Sequence, residues 1–174
     1  MTSRRYLGLV AAVAAERVAE LLVARRNGRR TRQRGAVEVG AGHYPVMVAL
    51  HLALLVAAPT EAALRARRPS PAAIVGLVGA VAVAQGLRWW CIATLGPRWN
   101  TRILVVPGLP PVRSGPYRWL DHPNYVAVVV EGLALPLAGG AWRTAAGFGV
   151  LNAALLRVRV RAEEQALAWA EQQR

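Results

Sequence analysis

Five apolar runs, each close to the length of a membrane crossing, most constrain how this chain can fold. They cover residues 6–24, 44–58, 72–95, 125–138 and 141–169. Several are shorter than the ~20 apolar residues that a lone transmembrane helix needs, so we expect tilted helices that pack on one another. The predicted fold is therefore all-α: an integral membrane protein with about five transmembrane helices.

The arginines set the predicted orientation. The sequence has no lysine, and its 22 basic residues outnumber 9 acidic ones. Most lie in "RRNGRRTRQRG" after the first run, in residues 88–118 and in the stretch from Arg157 to the C-terminus. Cytoplasmic loops of membrane proteins carry such an excess of basic residues. We expect the N-terminus outside and the C-terminus inside, with six arginines on the outer side: Arg4, Arg5, Arg65, Arg67, Arg68 and Arg143.

Charge and length also limit the class of protein. Arginines between apolar runs favour a multi-spanning membrane protein over a nucleic-acid-binding one, despite a net charge of +13. We expect one domain, residues 1–174, with two spans in 1–71 and a second half, 72–174, that carries the candidate functional residues described below. The first run resembles a signal peptide, but it continues through Glu16, Arg17 and Glu20, which favours an uncleaved span.

Metal and disulfide chemistry are not expected. Cys91 is the only cysteine, so it can form no disulfide within the chain. The three histidines, His43, His51 and His122, lack the spacing of metal ligands. We therefore predict no metal site.

The segment 96–123 shows no helical period, and an irregular stretch of that length in a small domain is usually functional. It runs into "DHPNY", where Pro123 suits the first turn of a helix whose free N–H groups attract an anion. His122, Asn124 and Tyr125 add polar side chains there. A plain helix cap with interfacial aromatic residues would explain the same pattern. The alternative is a pocket on the cytoplasmic side.

A second polar cluster lies on the last run. At about 100° per residue, Asn152 and Glu163 lie within about 20° and 40° of Arg159 on one helix face. An exposed Arg–Glu pair is the simpler reading, but Asn152 lies within the apolar part, which favours a face turned toward a cavity. Arg157, Arg161 and Glu164 share the opposite face, which is expected to meet solvent or headgroups.

Glu131 lies two helical turns after Asn124 and on the same face. A carboxylate inside a span is costly, and it is normally paired or lines a cavity. Both roles remain open for Glu131: a structural ion pair, or a group beneath the predicted pocket. Its partner could be Arg88, Arg159 or an amine of a bound cofactor.

Taken together, "GPYRWLDHPNY" and the later "RVRAEEQAL" resemble the isoprenylcysteine carboxyl methyltransferase family of membrane methyltransferases, over roughly residues 88–167. The segments "AERVAELLVARRN", "GAVEVGAGHYPVMVALH" and "RWWCIATLGPRWNTRI" resemble a bacterial branch of it. Members of that branch occur beside type III polyketide synthases and O-methylate alkylpyrone lipids. The resemblance implies a lipophilic acceptor and a functional link to such a synthase.

The resemblance implies S-adenosylmethionine (SAM) as the methyl donor. Its implied contacts are Tyr117, His122, Pro123, Asn124, Tyr125 and Glu163, and the segment ending at Val112 would wrap it. Asn100, in the polar turn before that segment, is a further candidate contact. Arg159 would face the methyl acceptor, so Arg159 and Glu163 are the candidate catalytic residues. Asn152 and Glu131 are assigned to the acceptor side.

Two features depart from the family pattern. Asp121 stands where members often have arginine before "HP", and no "FG-x-x-Y" segment follows Glu164. Two other functions fit parts of the sequence. A membrane reductase of the sterol-reductase type also carries "HPNY" and would use NADPH, and a non-catalytic membrane adaptor would bind neither cofactor. A prenylated carboxylate is an alternative acceptor.

Overall fold

A computed structural model describes residues 3–65 and 69–173 of the chain. Five helices account for most of it: α1 (Ser3–Gln33), α2 (Tyr44–Leu64), α3 (Pro71–Leu95), α4 (Pro123–Ala138) and α5 (Trp142–Glu171). The bounds of α3, α4 and α5 agree with the apolar runs to within about two residues. Arg67 and Arg68, predicted on the outer side, and Arg174, predicted on the inner side, lie outside the described residues.

Helix α1 is longer than predicted, and the prediction of an arginine-rich loop over residues 25–35 is wrong. The helix continues through that stretch to Gln33, because arginine is a good helix former and no proline interrupts it. It ends in a tight turn where the N–H of Ala36 donates to the carbonyl of Thr31 at 3.3 Å. Gly35 adopts φ 78° there, a conformation that glycine accepts at little cost.

Helix α2 passes through Pro59, so the predicted end at residue 58 is wrong. Proline removes one backbone donor, and the Thr60 hydroxyl donates to the carbonyl of Val56 at 2.7 Å in the same turn. The added turn carries Glu61, whose carboxylate accepts from the backbone N–H and the hydroxyl of Thr144, each at 2.8 Å. Glu61 thereby caps the start of α5.

Two short strands modify the predicted all-α fold. β1 (Val37–Val39) and β2 (Ile103–Val105) pair antiparallel, with Val37 opposite Val105 and Val39 opposite Ile103. The buried Ile103 and Val105 pack on Ala166 of α5. Strands of three residues are too short to show the alternation of apolar and polar side chains that predicts a strand from sequence. This pair attaches segment 96–123 to α5.

Four charged side chains, three of them buried and Arg17 partly buried, join α1, α3 and α4. One Glu131 oxygen lies 2.5 Å from Arg17 and 3.2 Å from Arg88, and Glu20 lies 2.7 Å from Arg17 and 3.1 Å from Arg88. The network contains two cations and two anions, so its net charge is zero. Pairing of this kind is what makes charges tolerable inside a span.

Two of the described helical segments are long and apolar enough to cross a bilayer. They are Ala41–Leu64, with a mean hydropathy of 1.8, and Pro71–Arg98, with 1.5, while Pro123–Ala138 is apolar but shorter. Helices α4 and α5 form a hairpin about Gly140, which has φ 82°. Gly132 lies so close to Phe148 that a Cβ atom there would come within 2.0 Å of the ring, so this glycine sets the spacing of α4 and α5.

Candidate functional site

A cavity of about 480 Å³ lies between segment 96–123, the His-Pro turn and the last turns of α5. Its size is in the range of about 300–1,000 Å³ typical of small-molecule sites. Charges of both signs line it: Arg98, Arg102, Arg113, Asp121, Arg159, Glu163, Glu164 and Glu171. The cavity therefore suits a ligand that carries both charged and polar groups.

The wall from segment 96–123 is held by hydrogen bonds to the helices on either side. The amide nitrogen of Asn27 donates to the carbonyls of Gly96 and Trp99, each at 3.0 Å. Farther along, the N–H of Gly108 donates to the carbonyl of Ala170 near the end of α5 at 2.9 Å. An irregular segment keeps a defined shape when its backbone groups are satisfied in this way.

The His-Pro turn supplies the opposite wall. A single-turn 3₁₀ helix, Gly115–Arg118, places Tyr117 in the cavity lining. Burial raises the pKa of Tyr117 well above its usual value, and Cys91 and Glu163 add to the effect. Its hydroxyl therefore stays protonated. The ring of His122 stacks on Tyr125 with 5.3 Å between centroids, which fixes both side chains at the start of α4.

The two polar clusters that the sequence presents separately meet in this cavity. The Tyr125 hydroxyl donates to Glu163 and accepts from Nε of Arg159 at 2.8 Å. His122 Nδ1 lies 3.9 Å from Glu163 Oε2. Since α4 carries Tyr125 and α5 carries the other two partners, this hydroxyl joins the two helices at the site.

Arg159 is a buried cation without a carboxylate partner within residues 3–65 and 69–173. Its residue is 5% exposed, and besides Tyr125 it donates to the Thr101 carbonyl at 2.7 Å and to the Met47 sulfur at 3.5 Å. Among the described residues, no acidic side chain pairs with it. The other buried arginine, Arg88, has two glutamate partners. Because buried charges are normally paired, Arg159 is suited to bind an anion.

Two buried polar atoms at the His-Pro turn are unsatisfied. Nε2 of His122 lies 3.5 Å from Glu164 Oε1 but makes no hydrogen bond, and Oδ1 of Asn124 makes none either, within residues 3–65 and 69–173. Both residues line the cavity. An unpaired buried polar atom carries a desolvation cost that a ligand can remove. One donor or acceptor at His122 and one acceptor at Asn124 are thus available.

The predicted residues of segment 96–123 also reach the cavity. Asn100 and Val112 both line it. The Asn100 amide already donates to the Ala24 carbonyl and accepts from the N–H of Arg102, each at 2.9 Å. This places Asn100 as a support of the cavity wall, and its contact with a cofactor remains a prediction.

Three predicted residues lie away from the lining described for this cavity. Pro123 is fully buried beneath the turn that it starts. Asn152 is buried on the same α5 face as Arg159, about two turns deeper. Glu131 is held in the four-charge network with Arg17 and Arg88. Of the two roles left open for Glu131, the contacts match the structural ion pair.

The sequence analysis missed several residues of the site, both in the cavity lining and among the contacts of Arg159. Glu164 was assigned to the outer face of α5, yet its long and largely exposed side chain reaches the mouth of the cavity beside His122. Arg102 was counted only for orientation, and it is bound to Glu38 at 2.5 Å. The Thr101 carbonyl and the Met47 sulfur carry no sequence signal, because their contacts depend on how β2 and α2 pack beside α5.

Comparison with known proteins agrees with this picture. Residues 76–169 match the isoprenylcysteine carboxyl methyltransferase (ICMT) family, a range that includes the His-Pro turn and the Arg159–Glu163 stripe. The chain is also similar to the uncharacterized protein YpbQ of Bacillus subtilis strain 168, with 40% identity over 159 residues, covering 91% of this chain and 94% of that protein. No solved structure matches it. The chain therefore belongs to the isoprenylcysteine carboxyl methyltransferase family, a family of membrane-associated methyltransferases.

Proposed function

We propose that this chain is an integral membrane methyltransferase that moves a methyl group from SAM to an anionic oxygen of a lipophilic acceptor. The observation that carries the proposal is Arg159, a buried cation with no acidic partner among the described residues, at the edge of a polar cavity. An acceptor that arrives as an anion would supply the missing counter-charge.

The residues of the cavity fit SAM. The unsatisfied atoms of His122 and Asn124 suit the polar groups of such a molecule, and four acidic side chains suit its positive charges: Asp121, Glu163, Glu164 and Glu171. Tyr117, Tyr125 and Glu163 would complete the set that holds it, with Val112 on the covering segment. When bound, SAM supplies an electrophilic methyl group; the acceptor oxygen gains the carbon–oxygen bond while the electron pair of the broken carbon–sulfur bond stays on sulfur.

The side chains of the site need to align the acceptor oxygen with the methyl group and to neutralise the charge of that oxygen. They do not need to move a proton. Arg159 would hold the acceptor oxygen, and alignment of the reacting atoms is a large part of the rate of such a displacement. The Tyr125 hydroxyl keeps the guanidinium in position through its Nε and ties it to Glu163. A general base is unnecessary when the acceptor is already ionised.

Alkylpyrones and related polyketide lipids are the proposed acceptors. A 4-hydroxy-2-pyrone is acidic enough to be largely ionised near neutral pH, and its alkyl tail would remain between helices. A functional link to a type III polyketide synthase follows as part of this proposal. A prenylated carboxylate has the same anionic chemistry at Arg159 and is the alternative acceptor.

We also propose five membrane spans, with the N-terminus outside and the cavity on the cytoplasmic side. Support comes from the two long apolar helices and from the arginines that flank the cavity. α4 has 16 residues, or about 24 Å at 1.5 Å per residue, less than the ~30 Å hydrocarbon core. It would span only together with its neighbours and by local thinning of the bilayer.

Turnover by purified protein in lipid nanodiscs tests the proposal, with methyl-labelled SAM and a long-chain 6-alkyl-4-hydroxy-2-pyrone. We expect Arg159→Ala to lower methyl transfer at least about 100-fold, the range for lost charge stabilisation at a reacting oxygen. Its affinity for SAM should stay within about threefold. The matched control is Arg161→Ala, since Arg161 is exposed on the opposite face of α5. Normal turnover by the Arg159 variant would refute the assignment.

A further inference from the structure

We infer that Met47 of α2 occupies the place of the acceptor oxygen at Arg159 and that the acceptor displaces it on binding. This inference rests on the proposed function. It assigns the α2 side of Arg159 to the acceptor and makes Met47 a residue that determines acceptor specificity.

The three contacts of Arg159 differ in strength. Nε and Nη2 bond to oxygen atoms of Tyr125 and Thr101 at 2.8 and 2.7 Å, whereas Nη1 meets the Met47 sulfur at 3.5 Å. A thioether is a weak acceptor and carries no charge. Nη1 is therefore the edge of the guanidinium where an anionic oxygen gains most by replacing the present partner.

The two sides of Arg159 also face different surroundings. Tyr125, on the Nε side, lines the polar cavity, whereas Met47 lies on α2 outside the lining described for it. Arg159 thus lies at the border between the cavity and the packing surface of α2 and α5. An acceptor arriving along α2 and bound to the Nη1 edge would reach this border, where its oxygen could lie next to the methyl group of a cofactor in the cavity, as a direct transfer requires.

The Met47 side chain can be displaced by a ligand. Met47 is only partly buried, and Val46 beside it is 58% exposed, so the position is open toward the surroundings of α2. Methionine has several rotatable bonds and repacks readily. Deeper along the same interface, the ring of His51 packs against Phe148 at 5.4 Å between centroids. That contact occupies the α2–α5 surface one helical turn beyond Met47, so the acceptor's polar head would be expected near Arg159 rather than deeper.

The chain offers a direct probe, because it has only two methionines, Met1 and Met47. Protein labelled with [methyl-¹³C]methionine in nanodiscs gives two methyl signals, and Met47→Leu assigns them. We expect the Met47 signal to shift on titration with a long-chain 6-alkyl-4-hydroxy-2-pyrone at a pH where it is ionised. Its neutral 4-methoxy counterpart should cause little shift at equal concentration.

A charge substitution gives an independent readout. Met47→Glu would place a carboxylate against Arg159 and compete with the acceptor, while Met47→Gln has the same size without the charge. We expect the glutamate variant to have a pyrone KM at least about tenfold above that of the glutamine variant. SAM affinity, measured by calorimetry, should agree within about threefold between the two.

The outcomes separate this inference from the proposed function. If the pyrone is methylated while the Met47 signal does not move, or moves equally with the methoxy compound, the acceptor binds elsewhere and the inference is wrong while the methyltransferase stands. Equal KM values for the two charge variants would also overturn it. Failure of the wild-type protein to bind SAM would instead overturn the proposed function.

Discussion

Glu131→Gln should destabilise the protein strongly, because this residue balances the charges of the buried Arg88 and the partly buried Arg17. Glu131 is 3% exposed, its two oxygens each lie 2.5 Å from Nη2 of Arg17, and one lies 3.2 Å from Arg88. Glutamine keeps the shape but leaves one uncompensated positive charge among α1, α3 and α4. Breaking a buried pair in this way costs about 3–5 kcal/mol, which for a chain of this length lowers Tm by about 6–20 °C.

Thermal unfolding in one detergent, followed by circular dichroism, measures this effect. Removing both partners in Arg17→Met with Glu131→Met leaves the neutral Arg88–Glu20 pair and should recover much of the lost stability, because apolar replacement of a buried pair is often neutral. A Tm for Glu131→Gln within about 4 °C of wild type would refute this reasoning. Loss of methyl transfer without loss of stability would instead assign Glu131 to the reaction.

Further predictions concern packing, pH and the acceptor. Gly132→Ala should cost about 1–3 kcal/mol in unfolding free energy, because its Cβ would meet the buried Phe148 ring, whereas Gly147→Ala, with nothing within 4 Å, should be neutral or slightly stabilising. Burial opposes but does not outweigh the hydrogen bonds from Arg102 and Arg32, which lower the pKa of Glu38 below its ordinary 4.5. This carboxylate therefore contributes stability above about pH 4.5 that is lost as pH falls through its lowered pKa. The Tm difference between wild type and Glu38→Gln, no more than a few degrees because the pair is partly exposed, should shrink at low pH; a constant difference would contradict the pairing. In lipid extracts of cells that express the chain, mass spectrometry should find a pyrone-type lipid heavier by one CH₂ than in cells without it, and unchanged extracts would contradict that acceptor class.

The helices could be predicted where apolar runs and helix-breaking residues coincide. Pro71 and Pro123 each begin a helix, and the Gly139–Gly140 pair turns the chain between α4 and α5. The same rules failed at Pro59, because a proline inside a helix is tolerated where tertiary contacts, here those of Glu61 with the start of α5, hold the following turn. Apolar runs and helix-breaking residues therefore predicted where the helices lie more accurately than where each helix ends.

The site could be predicted in part, because each half has a local pattern. The His-Pro turn and the Arg159–Glu163 stripe are each visible in the sequence, while their contact through the Tyr125 hydroxyl depends on how α4 and α5 pack. Met47 and the Thr101 carbonyl were not predictable, since an apolar side chain and a backbone group carry no chemical signature. For Glu131 the sequence showed the energetic cost of a carboxylate inside a span and therefore the need for a partner. It could not show that this partner is Arg17.

The central claim is that the cavity holds SAM while Arg159 holds the acceptor. Isothermal titration of the wild-type protein in nanodiscs with SAM, and separately with NADPH, tests it most directly. We predict one SAM bound per chain, no binding of NADPH, and affinity for SAM weakened about tenfold or more by His122→Ala and by Glu163→Ala. Binding of NADPH but not SAM, or SAM affinity unchanged in both variants, would contradict the account.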